Sequence, residues 1–224
     1  MDLNGLLRYP LDYLPFVLLA LIIAFTVHEF AHAYSAYKFG DPTAKQFGRV
    51  TLNPIAHLDI FGTLLLLIAG FGWAKPVPVN RGRFKHPRIM GIVVSAVGPL
   101  SNLILAFFGV FIFYLFNYFG WLDQMSVGSA RAIALYLNLH IAINLTLFIF
   151  NLIPIPPLDG YRIVQDVLPL RARIGLEKYE QYAIVLFLLL VFIPPLRRVT
   201  LDPIFNLQWP VLDMMSMLMQ RIFG

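Results

Sequence analysis

Apolar residues in this chain run in long unbroken stretches rather than alternating or recurring on one helical face. Residues 13–37, 89–121 and 132–153 each reach or exceed the roughly 20 apolar residues a helix needs to cross a hydrocarbon core. In 13–37 the only ionisable side chains besides tyrosine are His28, Glu29 and His32, and in 132–153 the only one is His140. The stretch 182–196 is shorter and ends around Pro194 and Pro195, and 203–223 is interrupted by Pro210 and Asp213. The pattern predicts an all-α polytopic membrane protein with three helices as its core and one or two C-terminal spans.

Residues 60–74 fit this pattern poorly. Fifteen uncharged residues make roughly 22 Å of helix, short for a crossing, and they include Gly62, Gly70 and Gly72. Lys38, Lys45 and Arg49 precede the stretch, while Lys75, Arg81, Arg83, Lys85 and Arg88 follow it. A full crossing would put one of these basic groups outside, against the positive-inside tendency. A re-entrant or shallow segment is therefore expected, within a short re-entrant or β-like region around 58–85. With 38–88 and 154–180 both cytoplasmic, twelve of the seventeen basic residues lie inside and the first helix runs from outside to inside. In 73–80 Pro and Val alternate, which suits an extended edge strand or a semi-rigid linker, and an exposed edge could pair with an unwound peptide.

Composition narrows the classes further. At 59% hydrophobic and 13% charged over 224 residues, with mean hydropathy +0.74, the chain exceeds the apolar fraction of globular domains, about 45–50%. With no cysteine, disulfides, thiolate metal sites and cysteine nucleophiles are excluded. The net charge of +5 reads as cytoplasmic loops rather than nucleic-acid binding. The start Met1-Asp2-Leu3 lacks the basic region of a signal peptide, so the first apolar segment is expected to stay as a span. No internal repeat is apparent, and one domain over 1–224 is expected, with its core at about 13–165 and C-terminal spans at about 181–223.

Inside the first span the chain reads His28-Glu29-Phe30-Ala31-His32. Residues four apart share a helix face, so both imidazoles can grip one metal ion, and the intervening Glu is placed to take a proton from water. Ionisable groups in an apolar span are costly and mark function; the alternative is an interhelical contact with Glu29 paired to an arginine. A catalytic zinc needs a third protein ligand. In Asn151-Leu-Ile-Pro154-Ile-Pro-Pro157-Leu158-Asp159-Gly160, a helix broken by prolines leads to one carboxylate beside a glycine. Asp159 is either that ligand or a turn residue. His57 reads as a solvated loop residue, His86 as surface, and His140 as an interhelical hydrogen-bonder.

The His28-Glu29-x-x-His32 helix together with Asn151-x-x-Pro154-x-x-x-Leu158-Asp159-Gly160 resembles the site-2 protease family of intramembrane zinc metalloproteases. Gly98-Pro99-Leu100-Ser101-Asn102 and Asn53-Pro54-x-x-His57-x-Asp59 resemble further signatures of that family, in the same order. The resemblance covers about 20–165. It implies one Zn2+ per chain held by His28, His32 and Asp159, with Glu29 as catalytic base. It also implies Asn151 near the zinc, holding the oxyanion or the substrate carbonyl, and Gly98, Pro99 and Asn102 packing the middle helix beside the site. The implied activity is cleavage within or near transmembrane segments, with single-span membrane proteins or signal-peptide remnants as substrates and the active site toward the cytoplasmic side of the cell membrane. Two departures stand out: the histidine helix is the first, where the family usually has a span before it, and there is no room for PDZ or CBS domains. The competing expectation is a transporter or scaffold that uses the His/Glu cluster for metal or protons.

Overall fold

The computed structural model describes residues 9–69 and 72–224, so the expected features at Met1–Leu3 and at Gly70 lie outside the described residues. Among the described residues, three helices are each long and apolar enough to cross a membrane: α1 (Leu14–Lys38), α4 (Pro87–Tyr118) and α5 (Val127–Asn151). They pack together, α4 against both α1 and α5, and α1 against α5. Pro15, in the first turn of α1, and Pro87, which opens α4, sit where a missing N–H costs no hydrogen bond. Ser126 caps α5 by accepting from the Ser129 N–H. One buried cluster joins Val17, Ala20, Leu21, Ala24 and Phe25 of α1 to Ile143 of α5. A second joins Ala106 and Val110 of α4 to Ile141 and Leu145 of α5 and to Met215 and Met219 of the last helix.

Between α1 and α4 the chain forms the short helix α2 (Thr43–Gln46), a single-turn 3-10 helix at Pro54–Ala56, and α3 (Ile60–Ala69). At ten residues, α3 spans roughly 15 Å, too short to cross, in keeping with the shallow segment expected there. The stretch 72–80 departs from the edge-strand expectation: it contains no strand, nor does any other described part of the chain. Pro76 and Pro78 have no N–H with which to propagate a ladder. The segment is fixed instead by isolated bonds, from Lys75 N–H to His57 C=O (2.8 Å), from Val77 N–H to Glu29 Oε2 (3.1 Å) and from Asn80 N–H to Asp41 Oδ2 (2.6 Å).

After α5 come α6 (Asp159–Val167), α7 (Leu170–Glu177), α8 (Glu180–Phe192), α9 (Pro194–Phe205) and α10 (Gln208–Phe223). The run from α8 onward bends by 93° between Phe192 and Pro194, so this pair is a broken span or a re-entrant turn. Ile193 is extended ahead of Pro194 (φ −94°, ψ 107°), as a residue before proline must be. Pro210 does not break the last segment as expected, because it falls in the first turn of α10, where a missing N–H is tolerated. Asp213 lies exposed.

Candidate metal centre

His28 and His32 project from one face of α1 and meet Asp159, the first residue of α6. The two Nε2 atoms are 3.0 Å apart, and each lies 3.2 Å from Asp159 Oδ2. The proline-rich turn after α5 carries Asp159 back onto α1 across 127 residues of chain. His28 and His32 are buried, and the Asp159 side chain is 20% exposed.

The outer ring nitrogens fix what the inner ones can do. His32 Nδ1 lies 2.6 Å from the Val94 carbonyl and therefore donates its proton there. His28 Nδ1 lies 2.7 Å from Asn102 Oδ1 and likewise donates. Both Nε2 atoms then present lone pairs to one another and to a carboxylate oxygen. Three acceptors converging in a buried space repel unless a cation lies among them. Ligands of a tetrahedral zinc at about 2.0–2.1 Å would themselves be roughly 3.3 Å apart, close to the separations found. The donor set fits zinc.

Gly98 makes the pair of rings possible. A Cβ there would lie 2.2 Å from His32 Nε2 and 2.8 Å from His28 Nε2. Pro99 follows it inside α4 and has no N–H for the Ser95 carbonyl, which loosens the ladder in this turn. The adjoining carbonyl, that of Val94, is the one that takes the His32 proton. Asn102 is fully buried and touches a ring directly, a closer role than packing alone.

Glu29 faces the same cavity of about 680 Å3, which is also lined by His28, His32, Asn151, Asp159 and Val77. Asn151 sits at the end of α5 and donates Nδ2 to the Leu147 carbonyl (3.0 Å), so it reaches the cavity but not the three converging atoms. At the cavity rim Arg81 pairs with the buried Asp166 of α6 at 2.8 Å. Burial pushes the Asp166 carboxyl up, against the pull of Arg81 and Arg173.

His57 differs from its expected solvated state: it is fully buried. Its Nε2–H donates to the Thr51 carbonyl (2.8 Å), and burial lowers its pKa. Beside it Arg49, also buried, donates to the Lys75 carbonyl. His86 is exposed and His140 bonds across to the Leu105 carbonyl of α4 (3.2 Å), both as expected. Sequence reasoning missed Val94, Val77, Arg49 and Asn144. Only Asn144 carried a signal, as an amide in an apolar span.

Over 204 residues, 91% of this chain and 92% of the other, the sequence is 50% identical to a Bacillus subtilis (strain 168) protein named zinc metalloprotease YwhC. The model of peptidase family M50 matches residues 124–194. The chain belongs to peptidase family M50. Its identity to Mycolicibacterium smegmatis Rip2, also named a zinc metalloprotease, is 30% over 197 residues, covering 84% of this chain and 72% of that one. Mycobacterium tuberculosis Rip2 is 30% identical over 181 residues, 78% of this chain and 65% of that protein. No solved structure matches at comparable significance. The family places a peptidase on a multi-pass membrane scaffold, and the long apolar helices accord with it.

Proposed function

We propose that this M50 peptidase hydrolyses peptide bonds within or next to transmembrane segments, with His28, His32 and Asp159 as its zinc ligands and Glu29 as general base. The observation that carries the reading is the convergence of two Nε2 lone pairs and one carboxylate oxygen at 3.0–3.2 Å, with Glu29 in the same cavity. As a member of its family the chain is an intramembrane zinc metalloprotease, and it acts within the bilayer.

Bound zinc supplies Lewis acidity toward a carbonyl and lowers the pKa of water to about 7. The chain's own residues do the rest. Glu29 takes a proton at its carboxylate and passes it to the leaving amine. Val77 N–H, on Oε2, holds that carboxylate in one orientation and leaves Oε1 to accept. Asn151 lines the cavity wall, which supports a role in holding the oxyanion or the substrate carbonyl. The apolar wall from Phe25, Leu147 and Phe150 suits an unwound hydrophobic segment.

Single-span membrane proteins or signal-peptide remnants are the substrates this reading favours. The cavity opens to the cytoplasm, a side supported by the twelve basic residues in 38–88 and 154–180. All of 1–224 then serves as one transmembrane protease domain. The test is cleavage of a model single-span substrate by purified protein in detergent, beside Glu29→Gln, with metal content measured on both. Cleavage within the span, lost in Glu29→Gln while zinc stays near one per chain, is expected. A fully active Glu29→Gln protein refutes the base assignment.

A further inference from the structure

Asn144 of α5 touches none of the groups assigned to the reaction, yet its side chain is fully buried at the junction of the three long helices. Its amide nitrogen lies 2.8 Å from the backbone carbonyl of His140, an atom that can only accept. The contact therefore fixes which end of the Asn144 amide is nitrogen. Its Oδ1 then faces α4 and accepts from Asn102 Nδ2 at 2.9 Å. The orientation of Asn102 is determined twice, since the same Nδ2 also faces the Ala24 carbonyl of α1 at 3.4 Å. Asn102 Oδ1 is left toward His28 Nδ1, at 2.7 Å, and can only accept there.

The relay has one direction. A backbone carbonyl on α5 orients Asn144, Asn144 orients Asn102, and Asn102 requires the proton of His28 to sit on Nδ1. The lone pair of His28 is thereby committed to Nε2, the atom facing His32 and Asp159. His140 agrees with this polarity. Its Nε2 donates to the Leu105 carbonyl, so its Nδ1 carries a lone pair toward Asn144 Nδ2, at 3.5 Å. His32 needs no such relay, because a backbone carbonyl meets its Nδ1 directly.

We infer that Asn144 is a positioning residue of the metal site, setting the tautomer and ring orientation of His28 through Asn102. The inference rests on the reading of His28 as a metal ligand. Groups that orient ligating imidazoles typically contribute 10–100-fold to metal affinity. If Asn144 loses its Oδ1, Asn102 Nδ2 keeps only the longer contact to the Ala24 carbonyl, at 3.4 Å, and its amide can turn over. It then offers a donor to His28 Nδ1, and the ring proton moves to the nitrogen that should hold metal.

The test compares Asn144→Leu, Asn144→Asp and His28→Ala with the parent protein in detergent. Zinc affinity is read by competition with a chelating indicator, and the tautomer of His28 by nitrogen NMR of metal-free, histidine-labelled parent protein at pH 8. The metal-free parent is expected to hold His28 as the Nδ1–H tautomer, a measurement that needs no variant to fold. Asn144→Leu is expected to bind zinc 10–100-fold more weakly. Asn144→Asp, which keeps an acceptor for Asn102 Nδ2, is expected to bind more tightly than Asn144→Leu. A residue that only packs the helix junction would give the reverse order, because a buried carboxylate is costlier than leucine. An Nε2–H tautomer in the parent, or Asp no better than Leu, overturns the relay. Should His28→Ala keep parental zinc affinity, the ligand reading itself falls; if that variant loses zinc while Asn144→Leu does not, only the relay falls.

Discussion

Replacing Gly98 by alanine tests the site through a residue that supplies no ligand and no charge. The added Cβ would sit 2.2 Å from His32 Nε2, 2.4 Å from His32 Cε1 and 2.8 Å from His28 Nε2, where ordinary contact begins at 3.4 Å. The worst overlap is therefore more than 1 Å. His32 cannot simply swing away, because its Nδ1 is held by the Val94 carbonyl, and His28 is held by Asn102. Either α4 retreats from α1 or the rings leave their positions. Overpacking of this kind costs about 1–3 kcal/mol, which a folded membrane domain can survive. The metal site cannot, since ligand distances tolerate only about ±0.2 Å and a 1 Å misplacement at a reacting centre costs about 100-fold. Gly98→Ala is expected to fold, to bind zinc at least tenfold more weakly and to lose about 100-fold or more in cleavage of a single-span substrate. Gly128→Ala and Gly175→Ala serve as controls, because nothing lies within 4 Å of their added Cβ atoms. Thermal unfolding in detergent, zinc competition and cleavage rate on all three variants make the assay. A Gly98→Ala protein with parental zinc affinity and rate would show that the two imidazoles do not meet beneath this helix.

Three further outcomes follow from neighbouring contacts. Val77→Pro removes the N–H held by Glu29 Oε2 in a segment already rich in proline; cleavage should fall by about tenfold or more with zinc content unchanged, and an unaffected rate would separate Val77 from the base. Asp166→Asn leaves Arg81 without its anion; breaking such a pair should cost about 2 kcal/mol, discounted because the Arg81 side chain is 22% exposed, and an unchanged unfolding midpoint would contradict it. His57 is held neutral by burial, with its pKa below the ordinary 6.5. Its stabilising contribution is full above that value and is lost as pH falls from there toward the folded-state pKa. The protection of amides across 51–57, taken relative to their intrinsic exchange rate at each pH, should therefore fall between pH 7.5 and 5.5 in the parent and change less in His57→Gln; an equal loss of protection in both would discard His57 as the cause.

The parts of this architecture that depend on composition were visible in the chain. α1, α4 and α5 follow from apolar length alone, and His28, Glu29 and His32 from a four-residue spacing that one helix must place on one face. Asp159 is ambiguous locally, because Asp-Gly serves turns as readily as ligands, and its return across 127 residues to His32 is a tertiary contact that no local pattern encodes. The Pro194–Pro195 break was evident, whereas the immediate resumption as α9 was not, since prolines both stop one helix and open the next. The burial of His57 was hidden because its partners are backbone carbonyls and the distant segment 72–80, which no local pattern encodes. The same holds for Val94: every residue has a carbonyl, and only tertiary packing decides which one meets a histidine.

The helix that supplies none of the three converging donor atoms shapes the candidate centre most. One stripe of α4 runs Gly91, Val94, Ser95, Gly98 and Asn102, at the three- and four-residue steps that keep side chains on one face. Each position contributes a different property toward α1 and α6. Gly91 leaves room for Asp166, whose Oδ2 would be 2.4 Å from an added Cβ. Ser95 Oγ accepts from Arg81 at 3.2 Å, tying the 72–83 segment to the same stripe. Val94 offers a carbonyl to one imidazole, Asn102 an amide oxygen to the other, and Gly98 between them offers absence. Two imidazoles on one helix can rotate about their χ angles into many arrangements, so the spacing of His28 and His32 alone does not define a site. A surface that holds both outer nitrogens and has a hole opposite both inner ones does define it. A ligand set read from α1 and α6 therefore gives the identity of the donors, while the sequence of α4 determines that they point at one another.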